Sequence, residues 1–270
     1  MIQFQTDQVC IFESLLYQTT ATVVHTEDMI LVVDPNWLPA EIRAIQSYVR
    51  EIQKGQALYL LFTHSDYDHI IAWKAFPGAK VIASRAFVEN KEKAKILQQI
   101  HDFDQQYYVE RDYPIAYPTV DIVIEADEQE LIIGNTTLLF YLSPGHNPDG
   151  IFTFIKPLGI WIAGDYLSDV EFPFIYHGFQ EYEKTLQKAS QIVAELAPQL
   201  LIPGHGKATN DSLEIQHRID LSKDYLAELK AAVLTQHTFP HLKWGKIYSF
   251  YSGIKAFHAD NESLVRKEFS

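Results

Sequence analysis

The chain predicts an α/β fold in which two β-sheets pack face to face with helices outside them. Two observations carry this. Short apolar runs follow one another, break for a stretch of helical spacing, and resume, in both halves of the chain. The breaks fall at chain-turning residues such as Asp34-Pro35, Gly55 and Gly134-Asn135.

The elements follow in order. Val9 to Leu16, Ala21 to His25 and Met29 to Val33 read as successive strands of an antiparallel sheet, the last stopping at Asp34-Pro35. Leu38 to Gln53 carries Ile42, Ile45 and Val49 at helical spacing and ends at Gly55. Leu58 to Phe62 is the next buried strand, and Lys80 to Ala83 follows it through a second β-α-β passage. Residues from about Arg85 to Gln106 have a helical, charge-rich pattern. Tyr107 to Tyr117 is aromatic, and Pro114 and Pro118 break regular structure around it. Glu130 to Ile133 and Thr136 to Leu142 form a hairpin across Gly134-Asn135. Ile151 to Ile155 and Ile160 to Ile162 make another pair. A helix from about Glu181 to Leu196 precedes the strand Leu200 to Ile202. A long helix to about Val233 starts at Asp211-Ser212, either of which suits the N-cap. The rest is aromatic and mixed, and reads as one or two helices packed on the body. We expect one domain over residues 1–270, with a helical and aromatic insertion at about 85–117 and a helical tail at about 236–270.

Bulk properties narrow the function. The chain has 270 residues, 47% of them hydrophobic and 21% charged, as expected of a globular protein with a sizeable core. Its formal net charge of -13 disfavours nucleic acid and anionic membranes as partners. No basic leader or long apolar run stands at the N-terminus, so the expected location is the cytoplasm. Cys10 is the single cysteine, which excludes an internal disulfide and a thiolate metal cluster.

The chemistry concentrates in Thr63-His64-Ser65-Asp66-Tyr67-Asp68-His69, directly after the apolar run to Phe62. Four ligand-type side chains at the end of a buried strand are hard to explain as packing, because carboxylates avoid the interior. A solvated turn with capping roles is the plainer alternative. Three more ligand types follow strands. His146 lies in Ser143-Pro144-Gly145-His146-Asn147-Pro148-Asp149-Gly150, Asp165 in Ala163-Gly164-Asp165-Tyr166, and His205 in Pro203-Gly204-His205-Gly206. Taken singly, each is as good a turn or cap residue. Their joint occurrence at four strand ends points to a two-metal hydrolytic centre.

In this order the residues resemble the metallo-β-lactamase superfamily of metal-dependent, glyoxalase II-like hydrolases. That family's signature is His-x-His-x-Asp-His, then a Gly-His loop, a Gly-Asp after a strand, and a late Gly-His. His64, Asp68, His69, His146, Asp165 and His205 match it, and the resemblance covers roughly residues 10 to 230, with the tail and the stretch from Arg85 to Tyr117 outside it. It implies a four-layer αββα sandwich, two mixed β-sheets flanked by helices, with the metals at one edge between the sheets. It also implies roles. His64, Asp66 and His146 would hold one cation; Asp68, His69 and His205 the other; Asp165 would bridge them. Asp34 matches an acid that buttresses the loop, and a plain strand-ending turn explains it nearly as well.

Two departures bear on the metal. Asp66 stands where most members have histidine, and Ile70-Ile71-Ala72 replaces the usual glycines. A carboxylate at position 66 is similar to the flavodiiron branch, and its harder oxygen admits iron or manganese beside the expected pair of zinc ions. The implied activity is hydrolysis of a small ester, thioester, lactone or phosphoester by a bridging hydroxide, with Asp68 and Asp165 as the catalytic carboxylates. The alternatives are di-iron redox chemistry on oxygen, nitric oxide or sulfur species, and a metal-binding module without activity. The substrate is expected to be small and partly apolar. Tyr166, Phe172 to His177 and part of Tyr107 to Tyr117 are expected around the mouth. Oligomeric state stays open.

Overall fold

A computed structural model describes residues 1–235 and 237–270. Gln236, near which the sequence reading starts the C-terminal tail, lies outside them. Four strands open the chain: β1 (Ile2–Gln5), β2 (Val9–Glu13), β3 (Thr20–His25) and β4 (Met29–Val33). Helix α1 (Pro39–Ile52) leads to β5 (Ala57–Leu61), and the short α2 (Tyr67–Ile70) and a 3-10 turn (Trp73–Ala75) lead to β6 (Lys80–Ser84). Helices α3 (Arg85–Glu89) and α4 (Lys93–Tyr107) precede β7 (Ile122–Ile124). The second half runs β8 (Gln129–Ile133), β9 (Thr136–Leu142), β10 (Ile151–Lys156), β11 (Ile160–Ile162), α5 (Phe179–Leu196), β12 (Leu200–Ile202) and α6 (Ser212–Thr235). Helices α7 (His241–Ile247) and α8 (Tyr251–Phe269) close it.

Two sheets result. The first has the order β1-β2-β3-β4-β5-β6-β7, the second β12-β11-β10-β9-β8. Strands β1 to β4 pair antiparallel, and β4 to β7 pair parallel. In the second sheet only β11 and β12 pair parallel. Both sheets are therefore mixed, and each parallel step is bridged by a helix or a long crossover, as parallel pairing requires.

Alternation along the strands builds the layers. In β4 every residue is buried, with Met29, Leu31 and Val33 facing the opposite sheet and Ile30 and Val32 facing α1. In β9, Leu138 and Phe140 face between the sheets while Leu139 and Tyr141 face α5 and α6. A strand apolar on both faces is the signature of a layer covered on both sides. Three clusters of buried side chains, one between the sheets and one under each helical layer, give the αββα order.

Some boundaries depart from the sequence reading. Strand β2 ends at Glu13, three residues early, because Ser14 N–H turns back to the Thr19 carbonyl. The stretch 85–106 splits into two helices at Asn90, whose side chain bonds Glu92 N–H and Ser65 Oγ instead of continuing a helical face. Strands β1 and β7 went unread. Each is an edge strand of three or four residues without full alternation. Among the described residues no helix is long and apolar enough to cross a membrane.

The two sheets are stitched along one edge. Thr20 N–H and its hydroxyl donate to the Gly204 and Pro203 carbonyls at 2.7 and 2.6 Å. Ile151 N–H donates to the Thr63 carbonyl at 2.8 Å. Strands β4, β5, β9, β11 and β12 all end at this seam.

Phe140 is fully buried and Ile132 is 66% exposed. Phe140→Ala should cost about 3–5 kcal/mol in urea unfolding, while Ile132→Thr should stay within about 0.5 kcal/mol. Equal losses would contradict the layer assignment.

Candidate metal centre

Four of the predicted ligands sit three or four residues past a strand, and Asp66 stands at the start of α2. His64 follows β5, His146 follows β9, Asp165 follows β11 and His205 follows β12; Asp68 and His69 ride on α2. The parallel pairs β4–β5 and β11–β12 end at the seam, and β9 runs with β11 because both lie antiparallel to β10. Side chains more than 140 positions apart in sequence thus converge.

The convergence is tight. Donor atoms of His64, Asp66, His146 and Asp165 lie within 4.8 Å of one another, as do those of Asp68, His69 and His205. Asp165 lies between the groups. Its Oδ2 is 3.3 Å from both His146 and His205 Nε2 and 3.5 Å from His64 Nε2, while Oδ1 is 3.2 Å from His69 Nε2. Asp66 Oδ2 is 3.2 Å from His146 Nε2 and 3.5 Å from His64 Nε2. Asp68 Oδ2 is 3.6 and 3.5 Å from the Nε2 atoms of His69 and His205. All seven predicted residues are brought together.

Every imidazole is oriented from behind. His69 Nδ1 is 3.0 Å from Asp34 Oδ2, His146 Nδ1 is 2.9 Å from the Phe174 carbonyl, and His205 Nδ1 is 3.0 Å from the Tyr17 carbonyl. Carbonyls and carboxylates only accept, so these Nδ1 atoms carry a hydrogen and each Nε2 is turned inward. His64 uses a relay. Its Nδ1 is 3.0 Å from Thr63 Oγ1, and that hydroxyl donates to Asp34 Oδ2 at 2.6 Å. Asp34, 2% exposed, therefore aligns one histidine from each group. Asn147 Nδ2 donates to Asp66 Oδ1 at 2.7 Å and turns that carboxylate toward His64 and His146.

A bound cation fits this set. His64 Nε2, His69 Nε2 and Asp165 Oδ1 are buried and find no hydrogen-bond partner among the described residues. His146 Nε2 and Asp66 Oδ2 are within hydrogen-bond geometry at 3.2 Å, while the contacts around His64 Nε2, His69 Nε2 and Asp165 Oδ1 form no hydrogen bond. The N-to-O separations match the edge of a tetrahedral shell with metal bonds near 2.0–2.1 Å, which is about 3.3 Å. Charge says the same. Burial alone would push the His205 imidazole down, but Glu171, Asp165 and Asp68 outweigh it and raise it to about 10. Burial works against His69 and His146 too, and the surrounding carboxylates still hold both well above the usual histidine value. Against its own burial, Asp165 is held far below the carboxylate range by His205, His69 and His64. The carboxylates demand positive charge; divalent cations answer it without protonating the ligands.

Backbone geometry explains the flanking glycines. A Cβ at Gly204 would collide with Asp165 Oδ1 and crowd His69 Cε1. Close approach of the loop to the cluster requires glycine there.

Around the cluster the structure rearranges the expected aromatics. Tyr166 is buried and props the loop from beneath, its hydroxyl donating to the Pro144 carbonyl at 2.9 Å and accepting from His146 N–H at 3.0 Å. Phe172 and Ile175 are core. Tyr176, 44% exposed, stands 5.1 Å from the His146 ring and does flank the site. Exposed His177 only bonds, through its backbone, to the Gly145 and His146 carbonyls. Tyr107 stacks on Phe103 at 4.8 Å. The sequence reading missed the fully buried Trp37, 5.3 Å from Tyr67 at the start of α2, and the largely buried acid Glu171. Burial pushes the Glu171 carboxyl up to about 7, and its Oε1 is 4.0 Å from His205 Nδ1. A lone glutamate in the apolar run Val170 to Phe174 carries no signal of such a place.

Comparison with known proteins identifies the family and the fold. A sequence model of the metallo-beta-lactamase superfamily matches residues 15–205. The uncharacterized protein YobT of Bacillus subtilis (strain 168) is 26% identical over 222 residues, 76% of this chain and 90% of YobT. YqgX of the same organism, described as a "probable metallo-hydrolase", is 28% identical over 160 residues, 56% of this chain and 66% of YqgX. Among solved structures, the inverting sec-alkylsulfatase Pisa1 from Pseudomonas sp. superposes with a TM-score of 0.68 at 12% identity. That match covers 86% of this chain but only 42% of Pisa1, and it speaks for the fold alone.

Asp34→Asn keeps an acceptor for Thr63 N–H but removes the charge behind His69. It should weaken zinc binding at the His69 group about 10–100-fold, measured by chelator competition. Unchanged affinity would remove Asp34 from the centre.

Proposed function

The chain belongs to the metallo-beta-lactamase superfamily, and from that premise we propose its reaction: hydrolysis of a small ester, thioester, lactone or phosphoester at a dinuclear metal centre. His64, Asp66 and His146 would hold one cation and Asp68, His69 and His205 the other, with Asp165 lying between the two groups. One observation carries it. Four Nε2 atoms converge on Asp165 within 3.2–3.5 Å while the Nδ1 of each imidazole is bonded elsewhere. A purely structural ion-pair network has no need to leave buried ring nitrogens and a carboxylate oxygen without hydrogen bonds.

When bound, the cations lower the pKa of a water and polarise the substrate's oxygen. The chain's own groups do the rest. Asp165 fixes the spacing of the two groups. Asp68, beside His69 and His205, is placed to take a proton at Oδ2. The mouth binds and shields: Tyr176 beside His146, and the partly exposed Tyr67 backed by the fully buried Trp37, favour a small, partly apolar substrate. A net charge of -13 works against nucleic acid as substrate.

Zinc is the expected metal, and the zinc-dependent description of PksB, 25% identical over 195 residues, supports it. Asp66 favours a second reading. Its carboxylate, held toward His64 and His146 by Asn147, is a hard donor that suits iron or manganese, and a di-iron centre would do redox chemistry instead. Tightly held iron with redox-dependent visible bands in aerobically purified protein would select that reading.

The test is a panel of esters, thioesters, lactones and phosphodiesters with metal-loaded and chelator-stripped protein. Turnover should depend on metal, and His69→Ala should lose one equivalent of metal together with most activity. Full metal content and an unchanged rate in that variant would overturn the assignment.

A further inference from the structure

The family match ends at residue 205, yet the last helix packs against a strip that touches the His146 loop. The contact runs through the strip 173–180, which links the Asp165 loop to α5. Three side chains of α8 hold that strip. Asn261, 1% exposed, accepts from Ile175 N–H at 2.9 Å and donates to the Pro173 carbonyl at 2.7 Å. Phe257 packs on the Phe174 ring at 4.6 Å between centroids. Glu268 accepts from Phe179 and Gln180 N–H at 2.7 and 3.0 Å, capping α5 where Gly178 offers no side chain.

Asn261 thus grips the peptide groups on both sides of Phe174, and the Phe174 carbonyl is the group that accepts from His146 Nδ1. Grip and acceptor are one residue apart. With Pro173 C=O and Ile175 N–H fixed by one planar amide, the peptide plane carrying Phe174 C=O has little freedom to turn. Tyr176 and His177 N–H extend the contact by donating to the His146 carbonyl at 2.9 and 3.1 Å. Asn261 is itself anchored, donating also to Tyr225 Oη at 3.0 Å, and that oxygen lies 2.8 Å from His258 Nδ1.

We propose that Asn261 is a positioning residue for the metal centre: through Pro173 and Ile175 it fixes the Phe174 carbonyl that aims His146. The inference rests on the reading of His146 as a ligand. It makes the C-terminal helix a working part of the site rather than an appendage. Groups that orient ligating histidines commonly govern affinity about 10–100-fold, and Asn261 acts one step behind such a group. Its influence falls on the group of His64, Asp66 and His146, because His69 and His205 are oriented by Asp34 and Tyr17 instead.

Zinc affinity, measured by competition with a chromophoric chelator, tests this without reference to turnover. His146→Ala identifies which binding step belongs to its group. Asn261→Leu keeps the branched heavy-atom shape and removes the grip; it should weaken that step about 10-fold or more while the other step moves less than about 3-fold. Asn261→Asp keeps the acceptor for Ile175 N–H, loses the donor to Pro173, and should fall between. Tyr225→Phe disturbs the anchor of Asn261 but not its grip, and should leave the affinity near that of the unaltered protein. Equal losses at both steps, or a folded Asn261→Leu with unchanged affinity, would overturn the proposal. If Asn261→Leu does not fold, unchanged affinity in Asn261→Asp overturns it. Absence of zinc binding at the His146 group of the unaltered protein would overturn this inference and the metal centre together. Zinc binding without turnover of any substrate class would count against the hydrolase reading alone, and the affinity series would still decide this one.

Discussion

The structure turns on one buried carboxylate. Asp165 sits where the two sheets part, with four imidazole nitrogens within 3.2–3.5 Å. An isolated charge in such a place is strongly disfavoured unless paired and hydrogen-bonded. The surrounding histidines answer that demand, and their outward nitrogens are each committed to a carbonyl, a carboxylate or a hydroxyl. Positive charge at the cluster is therefore required by the fold, and the donor set of imidazole and carboxylate is one that divalent metals share.

Topology delivers the rest. Five strands run to the same seam, so the chain lays its loops side by side there without long excursions. The seam is closed by main-chain bonds between sheets, Thr20 to Gly204 and Thr63 to Ile151. These hold the His64 and His205 loops at fixed separation, which is what a two-site arrangement needs if ligand spacing is to be set before metal arrives. Apolar strands such as β4 and β9, buried on both faces, supply the rigidity behind it.

Much of this was legible in the sequence. His64 to His69 packs four ligand-type side chains into six residues after a strand, and no packing role accounts for them. His146, Asp165 and His205 each sit beside glycine after a strand, and order along the chain joined them to the first cluster. Met29 to Val33, Ile160 to Ile162 and Leu200 to Ile202 were readable because continuous apolar runs of that length make buried strands. Other features left no local trace. Tyr166 looks like a mouth residue from its neighbour Asp165, but its hydroxyl is needed beneath the His146 loop, and tertiary packing took it inward. Glu171 and Asn261 are single polar residues whose importance comes entirely from distant partners. Short edge strands such as β1 and β7 are defined by their neighbours more than by their own pattern.

The most direct measurement is anomalous scattering from crystals of the protein grown with zinc. Two peaks are expected, one enclosed by His64, Asp66 and His146 and one by Asp68, His69 and His205, with Asp165 between them. A map without a peak in the cluster, with the imidazoles of His64, His146 and His205 turned away from one another toward solvent, would contradict the account.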